Sequence, residues 1–320
     1  MQQRSKVHTL ILVSIVCGLL LVSALFAGCT SSTPQSTATA AATAAPVAPA
    51  APASVVVATT VAPAATSAGA VPTSTPKPVY TYSEGNVVAY TAASLSGVSP
   101  KLAEGFEEMY PGHKVVFNLA GTQAIKTQIQ QGAYADVFIS ASNKYTTELT
   151  DGGYFVTGTV KPLTSNYVIV ILPADNPANI KSLADLAKPG VKIAMADKSV
   201  PVGAATAGVM EKMAKSSEYG TAWNTAVYDN VVTYETAEPA VAGKVQLGEV
   251  DAGFVYESTY TAGGDKYQSV SIAKSLNYLQ TYSIGILKES TSKGAAADFE
   301  NFMLSENGQQ ILKNYGFRPL

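Results

Sequence analysis

From residue 86 onward, short β-branched runs alternate with amphipathic helical stretches, and this alternation restricts the architecture more than any other feature. Strands are expected at 87–90, 114–119, 136–140, 167–172, 192–196, 231–234, 252–256 and 279–287. Between them, "LAEGFEEMY" sets Leu102, Phe106 and Met109 on one helix face, and "TQAIKTQIQQG" pairs Ile125 with Ile129 and stops at Gly132. Further helical stretches are "SLADLAKPG", "GAATAGVMEKMAK", "AEPAVAGKVQLGE", "KGAAADFENFML" and "NGQQILKNYG". The pattern predicts an α/β fold with mainly parallel sheets. Residues 86–320 are many for one core and sufficient for two.

In such folds ligands bind at the carboxyl ends of strands, where helices begin. Four loops occupy that position: "TAASLS" after the first strand, "NLAGTQA" after the second, "KSVPVGAA" at 198–205 and "YETAEPA" at 234–240. All offer backbone N–H groups and small side chains. Their one basic residue, Lys198, stands at an edge.

The first 85 residues do not read as a domain. Arg4 and Lys6 precede an uncharged, mostly apolar run from Leu10 to Ala27, closed by "FAGC" at 26–29. A basic start, an apolar middle and small residues describe a secretory leader. Its end resembles a lipobox that would place a lipid on Cys29, with Phe26 where leucine is usual. An uncleaved membrane anchor is the rival expectation. Residues 30–85 are rich in Ala, Thr, Ser, Pro and Val and carry no charge before Lys77. They lack the large apolar side chains that offset ordering entropy, so a disordered stalk is expected, bare or O-glycosylated. The chain would then sit outside the cytoplasmic membrane and be tethered to it.

Composition excludes several functions. With 21 basic and 23 acidic residues, no strong basic face is available for nucleic acid. Of the two cysteines, Cys17 and Cys29, neither lies in the foldable part, which excludes a disulfide framework or a thiolate metal site there. The two histidines are His8, in the leader, and His113, in "YPGHKVVF", read as a solvated turn residue. A zinc site is excluded, and a Ser-His-Asp triad would have to use His113. Arg4 and Arg318 are the only arginines, and neither GxxxxGK[ST] nor GxGxxG is present. Helix N-termini can still hold a small oxyanion through unpaired N–H groups and the partial positive charge of the helix end.

The segments "AYTAASLSG", "GTQAIKTQI", "GAYADVFISAS", "SVPVGAATAGVMEKM", "GEVDAGFVYES" and "GQQILKNYGFRPL" resemble, in order, those of periplasmic molybdate-binding proteins of ABC transporters. The resemblance runs from about Val87 to Phe317. It implies the two-lobed type II solute-binding fold, each lobe a mainly parallel sheet flanked by helices, with crossover strands as hinge. Lobe 1 would comprise 86–168 and 279–320, and lobe 2 would comprise 169–278. It also implies a monomer that binds molybdate, and tungstate as well, without a cofactor or catalysis, and presents it to a membrane permease.

Carried over by position, Ser94 donates through hydroxyl and N–H, and Thr122 through its hydroxyl. Val202 and Glu238 supply backbone N–H groups, and Tyr256 its phenol. Taken alone, Ser94 and Thr122 also read as helix caps, and Tyr256 as a core aromatic. Glu238 is the departure, because a carboxylate beside a dianion is costly unless it turns away, is protonated or bonds the metal. It could serve its own helix N-terminus from outside the pocket. A related archaeal branch brings Mo or W to six-fold coordination with two carboxylates, and Glu238 matches one. Val200 stands at the other, with Asp197 nearby, so tetrahedral binding is expected. The alternatives are a receptor for another oxyanion such as sulfate or thiosulfate, a hydrolase using Ser94, and a surface sensor or adhesin suggested by the stalk.

Overall fold

The computed structural model describes residues 85–319. The leader with Cys29, and the stalk up to residue 84, lie outside the described residues. Among the described residues, no helix is long and apolar enough to cross a membrane.

In chain order the elements are β1 (Asn86–Ala92), α1 (Ser99–Met109), β2 (Lys114–Ala120), α2 (Thr122–Gln130), β3 (Val137–Ser140), α3 (Asn143–Asp151) and β4 (Lys161–Pro173). There follow β5 (Ile193–Ala196), α4 (Pro201–Lys215), α5 (Gly220–Asp229), β6 (Val231–Glu235), α6 (Glu238–Gln246), β7 (Ala252–Tyr256), α7 (Glu257–Gly263) and β8 (Tyr267–Val270). The chain ends with β9 (Leu279–Ile286), α8 (Lys293–Leu304) and α9 (Glu306–Asn314). Short 3-10 turns lie at Ala93–Leu95, Leu183–Ala187 and Gly264–Lys266. The strands follow one path, β2-β1-β3-β9-β4-β7-β5-β6, with β8 also on β4. β1 is parallel to β2 and β3, and β5 is parallel to β6 and β7; β4 and β9 run antiparallel to their neighbours.

Alternation along the strands explains the layers. Val87 and Ala89 of β1 and Val137 and Ile139 of β3 join one buried cluster, with Phe106, Phe299 and Phe302 of the helices on that side. Val88 and Phe138 point the other way, into a second cluster with Ile125, Ile129 and Leu149. A strand covered on both faces is mostly apolar, and β3 ("VFIS") is buried at every position, its one polar residue, Ser140, donating to the Ser142 carbonyl.

β4 joins the two ends of the sheet. Its first part pairs with β9 as far as Tyr167↔Leu279, and from Val168 onward it pairs with β7. At this change of partner the side-chain amide of buried Asn277 acts as a short strand. Val168 N–H donates to Asn277 Oδ1 at 3.1 Å, and Asn277 Nδ2 donates to the Val168 carbonyl at 2.8 Å. The C-terminal residues return to the same place. Arg318 and Ser165 exchange two backbone hydrogen bonds of 2.8 Å, and the Arg318 guanidinium donates to Glu257 at 2.6 Å.

Some elements differ from the sequence pattern for physical reasons. β4 begins at Lys161 rather than at residue 167, because Thr164, Ser165 and Asn166 are polar yet buried. Thr164 and Ser165 donate to the Arg318 carbonyl and Asn166 Nδ2 to Ser258, while Asn166 Oδ1 has no partner among the described residues. "SLADLAKPG" forms only the 3-10 turn Leu183–Ala187, wrapped by the reciprocal Ser182–Asp185 capping bonds and followed by Pro189 and Gly190. Leu102 and Phe106 are fully buried, whereas Met109, the last residue of α1, is 39% exposed. His113 is half-buried rather than solvated: its ring lies edge-on to Phe106 and Tyr110, and Nε2 is 3.6 Å from Asp298.

One glycine sets how closely α4 approaches β5. A Cβ on Gly203 would lie 2.0 Å from the Asp197 carbonyl oxygen and 2.5 Å from that of Ala196. Gly243, inside α6, has nothing within 4 Å of that point. Gly203→Ala is therefore expected to destabilise the protein by roughly 1–3 kcal/mol through a backbone clash. Gly243→Ala should be neutral or stabilising by up to about 1 kcal/mol through helix propensity. Urea denaturation of the two variants checks the contrast.

Candidate functional site

Three helices start in one place. α2 follows β2 directly, α4 follows β5, and α6 follows β6, and their first residues line a single pocket. The lining comprises Ala92, Ala93 and Ser94 from the turn after β1, Gly121 and Thr122 from α2, Ala141 after β3, and Val200, Pro201 and Val202 from α4. Glu238 opens α6 and Tyr256 closes β7. All five residues singled out in the sequence, Ser94, Thr122, Val202, Glu238 and Tyr256, thus meet around this pocket.

None of these helix starts carries a side-chain cap. First-turn N–H groups have no intrahelical partner, so those of Thr122, Val202 and Glu238 are available to a ligand. Pro201 and Pro239, in the first turns of α4 and α6, have no N–H to leave unpaired. The capping reading fails for the two hydroxyl residues. Ser94 lies within its 3-10 turn with its Oγ 2.8 Å from the Tyr282 hydroxyl. Thr122 is the first residue of α2 and accepts a 3.3 Å hydrogen bond from Ala141 N–H, which leaves its own proton free to be donated.

The pocket is small, with a cavity volume of about 10 Å³ for the centre of a water-sized sphere. Taken as one compact region and enlarged by the ~1.4 Å radius of that sphere, the hollow is roughly 2.7 Å in radius. A four-oxygen anion has that scale; a sugar or an amino acid does not. Two hydrogen bonds cross between the surrounding loops. Gln123 Nε2 donates to the Thr236 carbonyl at 2.9 Å, and the Tyr145 hydroxyl donates to the Ser199 carbonyl.

No lysine or arginine lines the pocket among the described residues. The one ionisable acid there is Glu238, which is 3% exposed. Its Oε1 accepts from Tyr256 N–H and from the Thr259 hydroxyl, both at 2.7 Å. Oε2 has no hydrogen-bond partner among the described residues, and neither has the buried Tyr256 hydroxyl. Burial pushes the Glu238 carboxyl up to about 7, against the opposing pull of those two donors. Burial, reinforced by Tyr282 and Glu238, holds the Tyr256 phenol well above its ordinary range, so it stays a neutral donor. Glu238 therefore does not serve its helix from outside: it is inside the pocket and tied to the start of α7. Asp197 does not line the pocket; its Oδ1 is taken by the N–H and hydroxyl of Ser199. His113 is also absent from the lining.

A family model described as bacterial extracellular solute-binding protein matches residues 87–318. The chain belongs to that family. Relatives of this solute-binding protein include the molybdate-binding protein ModA of Mycobacterium tuberculosis, 30% identical over 232 residues, covering 72% of this chain and 84% of the relative. Among solved structures, a substrate-binding domain from Clostridium difficile, described as that of a molybdenum ABC transporter, is 29% identical with a TM-score of 0.57. It covers 73% of this chain and 99% of the other. The periplasmic molybdate-binding protein of Azotobacter vinelandii has a TM-score of 0.63 at 21% identity, with 72% and 98% covered, and carries the likeness of fold.

Tyr282 was missed by the sequence reading. It stands mid-strand in "LQTYSIGIL", and an alternating strand does not reveal which face meets a pocket.

The raised Glu238 pKa has a consequence for the unliganded protein. The folded state holds this proton more tightly than an unfolded glutamate, whose value is near 4.5. The stability it contributes is full below about pH 4.5, falls as pH rises, and is lost above pH 7. A glutamine there does not titrate and mimics the protonated carboxyl, so the melting temperature of Glu238→Gln should rise steadily relative to the wild type from pH 4.5 to about 7. A constant difference over that range would contradict the assignment.

Proposed function

We propose that this solute-binding protein captures molybdate outside the cytoplasmic membrane and presents it to the permease of an ABC transporter. The observation that carries the reading is the meeting of three uncapped helix N-termini with the hydroxyls of Ser94, Thr122 and Tyr256 around a hollow of oxyanion size. Partial positive charge and unpaired donors compensate the anion without a formal cation. Tungstate has the same charge and shape and is expected to bind as well. The mycobacterial and clostridial relatives support molybdate over other solutes of this fold.

Tetrahedral coordination follows from the carboxylates. Glu238 has one oxygen committed to Tyr256 N–H and Thr259, Val200 stands where a second carboxylate would be needed, and Asp197 is held by Ser199. In its neutral form Glu238 adds no repulsion to a dianion and becomes a further donor. Sulfate is then disfavoured by size, and phosphate only while Glu238 is protonated, when its P–OH finds no acceptor, an unmade buried bond costing roughly 1–3 kcal/mol; ionised, the unpartnered Glu238 Oε2 would supply that acceptor and weaken the discrimination.

Two lobes, 86–168 with 279–320 and 169–278, would close by bending where β4 changes partner at Tyr167 and Val168. The Gln123–Thr236 and Tyr145–Ser199 bonds would hold the mouth shut. Binding without catalysis agrees with Ser94, whose neighbour is a phenol held well above its ordinary range by burial and so a poor base. The protein would act as a monomer, tethered through Cys29 or an N-terminal anchor.

Thermal-shift and calorimetric titrations of the full-length chain test this reading. Molybdate and tungstate should raise the melting temperature by mass action, and sulfate and phosphate much less. Ser94→Ala and Tyr256→Phe should each weaken molybdate binding about 10-fold or more, the scale of one hydrogen bond to a charged acceptor. Absence of a shift with both metal oxyanions would sink the function. Unchanged affinity in both variants would mean that the site is misplaced.

A further inference from the structure

Ser94 Oγ and the Tyr282 hydroxyl are 2.8 Å apart, and geometry alone leaves either free to donate. Tyr282 comes from β9 and is fully buried, with its ring edge-on to Tyr256 (6.1 Å between centroids) and Phe317 (5.6 Å). Among the described residues Ser94 Oγ is the one hydrogen-bond partner of the Tyr282 hydroxyl. A hydroxyl has one proton and two lone pairs. The buried phenolic proton therefore has Ser94 Oγ as its acceptor. Ser94 then accepts from behind, and its own proton points into the pocket.

We propose that Tyr282 is a positioning residue for the anion site: a buried relay, Tyr282 to Ser94, fixes Ser94 as a donor. The inference rests on the oxyanion reading of the pocket and adds the origin of its selectivity. A serine free to rotate can accept as readily as donate, and so serves a protonated anion as well as a bare one. A serine whose lone pair is already occupied favours anions that carry no proton. The preference comes from a side chain that does not touch the ligand, set by donor direction rather than by charge.

The test is calorimetry on the full-length chain with sodium molybdate and, separately, inorganic phosphate as probes. Wild type is compared with Tyr282→Phe, Ser94→Ala and the double variant. Tyr282→Phe keeps the ring and removes the proton, so it should lose about 10-fold in molybdate affinity and narrow the preference over phosphate. In the Ser94→Ala background the same change should have little further effect, because the relay then has no end point. Replacing Tyr282 with 4-aminophenylalanine, which restores an N–H donor, should recover most of the affinity.

A Tyr282→Phe protein that binds like the wild type overturns the relay. So does an equal loss with and without Ser94, which would mark a merely structural role, or an aminophenylalanine variant as weak as Phe. Should Tyr282→Phe not melt cooperatively, the aminophenylalanine variant decides alone, by retained or lost binding. If the wild type itself binds neither molybdate nor tungstate, the functional reading falls; if it binds and the variants behave as just described, only the relay falls.

Discussion

Unpaired N–H groups at three helix starts are the constraint on which this structure depends. A helix begins with donors that it cannot satisfy, and most proteins cap them with a serine, threonine or aspartate. Here Gly121, Val200 and Ala237 occupy the cap positions of α2, α4 and α6 and supply no capping oxygen. Leaving these donors open costs stability unless something else accepts from them. Parallel pairing of β1 with β2 sets the Ser94 turn beside the start of α2, parallel pairing of β5 with β6 sets the start of α4 beside that of α6, and the antiparallel crossovers through β9 and β4 bring the two sets to one pocket. The convergence also requires close backbone approach, which Gly203 permits by bringing α4 onto the carbonyls of Ala196 and Asp197.

Glu238 shows how the pocket handles the one group that conflicts with its purpose. At the start of α6 a carboxylate is favoured by the helix field. Inside a closed pocket it is disfavoured by lost hydration, and the second effect is larger, holding the group near neutrality. Its Oε1 ties the first residue of α6 to the Tyr256 N–H at the end of β7 and to the Thr259 hydroxyl of α7, so one side chain links three elements at the rim of the site. The oxygen left over faces a region of donors. Neutral, Glu238 joins them; ionised, it opposes the anion.

Much of this was legible in the sequence where side-chain size and position carried the signal. Small residues after a strand marked the turn holding Ser94, and the β-branched runs gave β1, β2, β5 and β7. What was not legible shares a cause: polar residues buried by tertiary context. Thr164, Ser165 and Asn166 do not look like a strand, yet they form part of the first half of β4, where the C-terminal arm and Ser258 each accept hydrogen bonds from them. α3 ("NKYTTELTD") shows almost no apolar face and is held by Tyr145, Thr146 and Leu149. Tyr282 gave no local signal, because its role lies in a contact with Ser94, 188 residues away. The pocket was visible as a set of loops, but the polarity of its hydroxyls depends on neighbours that only folding brings near.

The central claim is that the helix starts, rather than any charged side chain, hold the anion. Anomalous diffraction at the molybdenum edge from crystals of the protein grown with molybdate tests it directly. The account predicts one peak per chain, with oxygens in hydrogen-bonding reach of the Ser94, Thr122 and Tyr256 hydroxyls and of the Val202 N–H. A peak outside that pocket, or coordinated directly by the Glu238 carboxylate, would contradict it.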